Sequence, residues 1–167
     1  MFEMVDLKRA VERFAREGHV FYPDQAEGIG EVTVLCMGEE KVYVPCTTTQ
    51  FRRKLSREFF KDERLLRDFA YETLGKRKHP PFVLHESLVL VPFWYPCFDN
   101  PAHRTLYACL SSIRLYATHE EQRLSCIVMF KDRHTITLPY SIGTVKQQMR
   151  CAEHLLMKYK LKGRASY

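Results

Sequence analysis

The sequence lacks three features by which a protein's function is often recognised. No apolar run approaches the roughly eighteen residues that a transmembrane helix needs, and residues 1–17 carry acids where a signal peptide has an apolar block. No glycine-rich phosphate loop is present, because Gly28 and Gly30 precede a strand-like run instead of joining a strand to a helix. Motifs for a catalytic nucleophile are also missing. We therefore expect a soluble, cytoplasmic, non-enzymatic protein without a cofactor.

The six cysteines include no pair at the short spacing of a zinc knuckle or a redox motif. The sequence therefore predicts reduced and mostly buried thiols. Cys97, His103 and Cys109 are evenly spaced and belong to residue types that bind metals. A fourth ligand is missing, however, and Cys109 lies inside a strand-like run, so we predict no metal site.

No internal repeat and no Pro/Gly/Ser linker divides the 167 residues, which are 46% hydrophobic and are interpreted as a single domain with a substantial core. The net charge of +6 suggests a polyanionic partner. Residues 1–50 have 5 basic and 9 acidic side chains (−4), residues 51–80 have 10 and 5 (+5), and residues 81–167 have 11 and 6 (+5). The short basic stretch 51–80 is thus the first candidate for contact with an anion.

Residues 1–80 show helical and strand-like patterns in turn. Apolar residues at helical spacing predict a helix over residues 2–14, which Gly18 ends in a left-handed conformation. Residues 22–30 are rich in turn formers and predict a loop, and β-branched runs at 31–37 and 42–46 predict a hairpin. Thr47 and Gln50 predict the capping box of a second helix, and Asp62 caps a continuation that ends at Gly75. The apolar residues predicted to face inward on that continuation are Leu65, Leu66, Phe69, Ala70 and Leu74.

From Phe82 onward the hydrophobic period changes to two, which predicts strands at 81–84, 88–93, 104–117, 124–130 and 134–139. The last three are expected to form an antiparallel meander. Thr144 and Gln147 predict the capping box of a final helix. These elements indicate an α+β fold, in which helices pack against a mostly antiparallel sheet.

Arginines lie on the predicted solvent face of the helices between Thr47 and Gly75: Arg52, Arg53, Arg57, Arg64 and Arg67. Acids three or four residues away neutralise part of this charge, so a merely solvated face is an equal alternative. The run Lys-Arg-Lys-His at 76–79 has no acidic neighbour before Glu86 and favours phosphate contact. The residues that we expect to contact phosphates here are Arg52, Arg53, Arg57, Lys76, Arg77 and Lys78.

Two further clusters of residues have a structural interpretation besides a functional one. Phe93, Trp94, Tyr95 and Phe98 would suit stacking on single-stranded bases, but their segment contains no basic residue. We expect them in the core or in an interface between copies of the chain, which would be at least a dimer. The neighbours His85 and Glu86 have the chemistry of an acid–base pair, and we interpret them as a polar hairpin turn.

Short motifs follow one another in a fixed order between residues 31 and 160. An upstream strand leads into the basic Phe-Phe run YVPCTTTQFRRKLSREFF. A Lys-His-Pro-Pro entry at 78–81 precedes an apolar strand with Pro-Phe at 92–93, a middle strand at 104–117, and a strand–turn–strand at 127–139 that closes on Leu-Pro. The polar residues of the following cap and helix are Ser141, Thr144, Gln147 and Gln148. In pattern and order this series resembles the ComK family of competence transcription factors.

The resemblance implies a DNA-binding transcription activator, located at the nucleoid, that acts as an oligomer on AT-rich double-stranded DNA and approaches through the minor groove, with RNA polymerase as a candidate partner. The chain stops soon after the last helix. It lacks the longer extension that in the family carries an adaptor-protease recognition segment, so we do not expect that recognition. The acidic region 1–30 has no clear counterpart and is expected to serve dimerisation or packing.

A hairpin tip is predicted at residues 131–134. A tip projects furthest from a sheet, so we expect it to enter or straddle a groove of the DNA. Arg133 would read the narrow AT-rich minor groove with Arg114 as its neighbour, while Lys131 and His134 contact phosphates. Asp132 is expected to shape the turn, and an exposed polar turn is the equal alternative.

A rival interpretation is a non-catalytic module that binds a protein or a small ligand and whose basic face is only solvated. The two interpretations predict opposite responses to salt, since neutralising phosphates makes affinity fall steeply with salt concentration whereas an apolar pocket hardly responds.

Overall fold

The computed structural model describes residues 4–75, 78–95, 105–122 and 124–165. The elements are, in chain order, α1 (Leu7–Glu17), β1 (Gly18–Ala26), β2 (Gly30–Met37), β3 (Glu40–Val44), α2 (Thr48–Glu58), α3 (Glu63–Leu74), β4 (Phe82–His85), β5 (Leu88–Trp94), β6 (Thr105–Cys109), a 3-10 turn (Leu110–Ser112), β7 (Ile113–Thr118), β8 (Cys126–Phe130), β9 (Thr135–Leu138) and α4 (Ile142–Ala165). The predicted α+β fold is confirmed.

The strands form two antiparallel sheets. Six of them have the order β3-β2-β1-β6-β5-β4, and the other three form the sheet β7-β8-β9. The second sheet confirms the predicted meander. The run 104–117, predicted as one strand, is divided by the 3-10 turn, so that its first half joins the six-stranded sheet and its second half begins the smaller one.

The six-stranded sheet separates two hydrophobic clusters. Successive residues of β5 alternate between them: Leu88 and Leu90 face α1 and α2, whereas Val89 and Val91 face α4 and the smaller sheet. This is the alternation that a pleated strand produces when both its faces are covered. On the first face Phe14 and Phe21 pack edge to face with ring centres 5.3 Å apart.

Strand β1 is the main element that the sequence did not predict. Residues 22–26 were expected in a loop, but they continue β1, and Ala26 pairs with Gly30 at the end of the hairpin with β2. Pairing with the β-branched residues of β2 outweighs the local turn preference of Pro23 and Asp24. Gly18 is extended (φ −76°) instead of left-handed and leads directly from α1 into β1. A Cβ there would lie 2.3 Å from the Phe14 ring, so glycine is required by close approach.

Two of the four predicted helix starts, at Thr47 and Asp62, are confirmed, whereas the helix predicted over residues 2–14 is α1, which begins only at Leu7 and extends to Glu17. The Thr47 hydroxyl accepts the Gln50 N–H (3.1 Å), and the Gln50 side chain accepts the Thr47 N–H (2.8 Å). Asp62 accepts the Arg64 N–H at 2.8 Å and caps α3. The capping box at Thr144 is wrong, because α4 already begins at Ile142.

Other expectations have mixed outcomes. Gly75 ends α3 in the left-handed conformation that was predicted (φ 72°). Leu65 was predicted to face inward, but it is 65% exposed, because Leu66 and Ala70 take the inward stripe of α3. The free cysteines that the structure describes are all buried, as predicted: Cys36, Cys46, Cys109, Cys126 and Cys151.

Candidate nucleic-acid interface

A basic depression lies where α2 is joined to α3. It has a volume of about 570 Å³, and side chains from the end of α2, the short connection and the start of α3 line it. The cations on its wall are Arg53, Arg57, Lys61, Arg64 and Arg67. The two acids on its wall are Asp62 and Glu63. We call this surface the basic depression below.

Helical periodicity places the arginines there. On α2, Phe51 and Leu55 are buried four residues apart, so Arg53 and Arg57, which are also four apart, lie on the solvent side. On α3, Ala70 faces the core, and Arg67, one turn before it, is exposed beside that face. The connection between the helices is short, so the two exposed faces meet and concentrate the positive charge.

The structure corrects the prediction that Arg52 lies on the solvent face of α2. Its side chain was predicted to be exposed, but the residue is only 6% exposed. Its Nε and Nη2 atoms donate to the Glu63 carboxylate at 2.7 and 3.1 Å, and Nη1 donates to the Tyr107 hydroxyl. Burial opposes its charge, but the hydrogen bonds and charges of Glu63 and Tyr107 outweigh that effect and raise the pKa of Arg52. Arg52 ties α2 to α3 and is not available to a phosphate.

Both acids of the basic depression are already engaged. Glu63 accepts the two hydrogen bonds from Arg52 and a third, of 3.2 Å, from the Ser56 hydroxyl. Asp62 holds the first turn of α3 through the Arg64 N–H. Neither carboxylate is therefore free to neutralise the surrounding arginines fully, although Arg53 Nε does approach Glu63 to 3.9 Å.

The cations differ in what holds them. Lys61 donates to the Tyr159 hydroxyl of α4 at 3.1 Å, and the guanidinium carbon of Arg67 lies 5.4 Å from the centre of the Phe82 ring. Arg57 and Arg64 are exposed, and within the part of the chain that the structure describes their side chains have neither a hydrogen bond nor an ion pair. These two guanidinium groups are therefore the most available to an anion.

Lys78 is exposed but lies elsewhere. It follows the C-terminal end of α3, a helix of 12 residues and about 18 Å whose first residues line the basic depression. There it lines a separate cleft of about 680 Å³ with His79, Trp94 and the first turns of α4. Lys76 and Arg77 lie outside the described residues.

The tip of the β8–β9 hairpin is docked instead of projecting freely. The Asp132 side chain is 4% exposed, accepts the His134 N–H at 3.0 Å, contacts the His134 ring and lies 3.8 Å from His19 of β1. Asp132 thus shapes the turn, as expected, and His134 is half-buried against it. Lys131 and Arg133 point to solvent, and Arg133 has a left-handed backbone (φ 70°).

The remaining predicted sites are not joined to the basic depression. Arg114 is exposed at the bulge of β7 in the smaller sheet. The aromatic cluster was predicted to lie in the core or in an interface between copies, and Phe93 lies in the core. Trp94 is 47% exposed, and Tyr95 packs on Tyr22 with ring centres 5.5 Å apart. Phe98 lies outside the described residues.

The turn at residues 85–87 has the geometry of the polar hairpin turn that we expected. His85 Nδ1 accepts the Ser87 N–H at 3.1 Å and lies 2.8 Å from the Ser87 hydroxyl. Among the residues that the structure describes, no three His, Cys, Asp or Glu side chains come together as a metal site. Cys97 and His103 fall outside that part. None of the described helices is long and apolar enough to cross a bilayer.

Comparison with protein-family models finds a match to the family described as ComK protein over residues 32–164. The chain belongs to the ComK family. The resemblance found in the sequence motifs is therefore confirmed, and membership indicates a competence transcription factor. No curated protein and no solved structure matches the chain.

The whole basic depression falls within the part of the chain that matches the ComK model. The sequence predicted Arg53 and Arg57 as phosphate contacts; it placed Arg64 and Arg67 on the same solvent face but did not select them as contacts. It also missed Phe60, which lies between the two helices on the same surface. The run Glu-Phe-Phe-Lys-Asp could have indicated Phe60, because a helix ends there without a glycine to adopt the left-handed conformation.

Proposed function

We propose that this ComK-family protein regulates transcription by binding double-stranded DNA, and that the basic depression is its principal phosphate-contacting surface. The observation that carries the proposal is the convergence of five cations, from two helices and the connection between them, on one concave surface where the two acids are already engaged. A phosphate backbone supplies the closely spaced negative charges that such a surface attracts.

A solvated helix face was the alternative explanation for these arginines. It requires acids at helical spacing to neutralise the arginines, but Glu63 is held by Arg52, Asp62 caps α3, and among the described residues Glu58 and Asp68 form no ion pair with an arginine. Repulsion among unpaired arginines lowers stability, and a bound polyanion relieves it. The charge distribution therefore favours a binding surface over a solvated one.

We propose that the interface with DNA extends beyond the basic depression. Lys78, with Lys76 and Arg77, would extend the phosphate contacts along α3, and Arg114, Lys131, Arg133 and His134 would contact a second part of the duplex. The preference for AT-rich sites, the minor groove, the activator role and oligomerisation come from the family resemblance. Trp94 is the exposed aromatic residue that we propose for the contact between copies, and light scattering of the protein alone and on DNA tests that state.

The double variant Arg57→Ala/Arg64→Ala tests the basic depression. We expect affinity to fall for AT-rich and GC-rich duplexes alike, and the slope of log K against log salt to become shallower by about two units. The matched control is Arg9→Ala/Arg16→Ala, which removes the same charge from exposed positions on α1. Equal behaviour of the two variants would place the DNA contact elsewhere.

The cleft beside α4 favours a second candidate function, binding of a small ligand. Its wall combines Trp94, Tyr140 and Pro92 with the polar side chains of Gln147 and Lys78. Ligand binding in such a cleft would be abolished by Trp94→Ala and would respond weakly to salt. DNA binding that keeps its full salt slope in Gln147→Ala, a variant of the same cleft at a residue outside the proposed contacts with DNA and between copies, would separate the two functions.

A further inference from the structure

We propose that Phe60 is a wedge that inserts between adjacent base pairs of the bound duplex while the arginines of the basic depression hold the flanking phosphates. The inference rests on the proposed DNA binding and adds to it the residue that contacts the bases. Three independent features of Phe60 carry it: its exposure, its backbone conformation and its surroundings.

The side chain of Phe60 is exposed to solvent, which is unusual for a phenylalanine in a folded protein. The residue is 97% exposed, whereas the other phenylalanines that the structure describes are buried or half-buried. Its neighbour Phe59 packs near the His85 ring, with ring centres 6.2 Å apart. Phe59 therefore packs the connection against the rest of the fold, whereas the Phe60 ring does not contribute to packing.

The backbone at Phe60 is strained. Helix α2 ends in the hydrogen-bond pattern that calls for a left-handed residue: the Phe60 N–H donates to the Arg57 carbonyl (2.9 Å) and the Lys61 N–H to the Ser56 carbonyl (3.0 Å). Phe60 adopts φ 54°, a conformation that is unfavourable for a bulky side chain. Helix α3 also ends in a left-handed residue, and there the residue is a glycine, Gly75 (φ 72°). The chain thus keeps phenylalanine at a position where glycine fits without strain.

Stored strain together with an exposed aromatic ring points to a functional role. The surroundings identify the ligand class, because Phe60 shares its surface with Arg57, Arg64 and three further cations. An apolar patch on a protein partner would leave these charges unpaired. A duplex offers a partner to the cations and to the ring. Its phosphates flank the bases on each side, and apolar wedges such as phenylalanine enter between base steps of the minor groove.

The test compares Phe60→Gly and Phe60→Leu with the unmodified protein on an AT-rich duplex. Permanganate oxidises thymines that are unstacked, so an inserted wedge should make one or two thymines reactive in the complex. We expect Phe60→Gly to abolish that reactivity and weaken binding roughly tenfold without changing the salt slope, because no charge is removed. Phe60→Leu should retain part of both effects.

The same glycine variant should be more stable than the unmodified protein. Relief of the left-handed strain should raise the Tm by about 2–4 °C. A variant that gains stability while its affinity falls rules out misfolding as the cause of the weaker binding. The control is Ile29→Ala, which removes an exposed apolar side chain from the β1–β2 turn and should change neither quantity appreciably.

The outcomes distinguish the wedge from the proposed function. Unchanged affinity and unchanged thymine reactivity in Phe60→Gly, with DNA still bound, would overturn the wedge and leave the phosphate surface intact. A change in the oligomeric state of free Phe60→Gly would also overturn it, since the ring would then be a contact between copies. No DNA binding by the unmodified protein would overturn the proposed function itself.

Discussion

Arg52 and Glu63 form a two-point ion pair, with Nε–Oε2 and Nη2–Oε1 distances of 2.7 and 3.1 Å, and this pair joins α2 to α3. Its side chains are 7% and 12% exposed. The guanidinium carbon of Arg52 also lies 4.9 Å from the centre of the Phe82 ring. The pair therefore fixes the angle at which the two basic faces meet, and the shape of the basic depression depends on it.

The neighbours Arg52 and Arg53 should respond in opposite ways to alanine substitution. Arg52→Ala leaves the Glu63 carboxylate buried without its partner, which should lower the free energy of unfolding by about 3–5 kcal/mol in urea titrations. Arg53→Ala removes an exposed side chain and should cost less than about 0.5 kcal/mol, yet weaken DNA binding. A loss of stability that is equal in the two variants would contradict the structural role of Arg52.

Removing the cations beyond α3 tests how far the phosphate contacts extend. We expect Arg77→Ala/Lys78→Ala to weaken binding to all duplexes similarly and to reduce the salt slope by roughly one unit for each phosphate that is no longer neutralised. A gel-shift titration at several salt concentrations measures both. Unchanged affinity with normal folding would confine the interface to the basic depression.

Arg133 is the candidate for shape readout, because it is exposed at the hairpin tip that Asp132 anchors to β1. Arg133→Ala should reduce the preference for AT-rich over GC-rich duplexes more than it reduces total binding. Lys131→Ala is the matched control, since it removes the same charge from the same tip and should leave the preference unchanged. If competition assays give the same ratio of AT-rich to GC-rich affinity before and after Arg133→Ala, the hairpin tip does not determine the sequence preference.

Buried thiols make the fold sensitive to alkaline pH. Burial raises the pKa of Cys36 from 9.0 to about 12, so above pH 9 the unfolded chain loses this proton while the folded chain keeps it. The free energy of unfolding should therefore fall as pH rises from 9 towards 12, by about 1.4 kcal/mol per pH unit for this one group. Cys36→Ala should make that slope shallower by one proton, and an identical slope in the two proteins would contradict the effect of burial on this thiol.

The sequence predicted most elements because their signals were local. The Thr47–Gln50 capping box, Asp62 and Gly75 act within one helical turn, and the alternation in β5 follows from the pleat. The end of β1 was missed because its pairing with β2 outweighs a local preference. For the same reason the sequence found arginines but not the site: burial of Arg52 depends on Glu63 and on Tyr107, 55 residues away.

The central claim is that the basic depression neutralises DNA phosphates, and the salt dependence of affinity tests it most directly. Binding of the unmodified protein to an AT-rich duplex should be titrated between about 50 and 200 mM salt. If each of the five cations neutralises one phosphate, the slope of log K against log salt should be about −4.5. A slope between zero and about −1 would contradict the account.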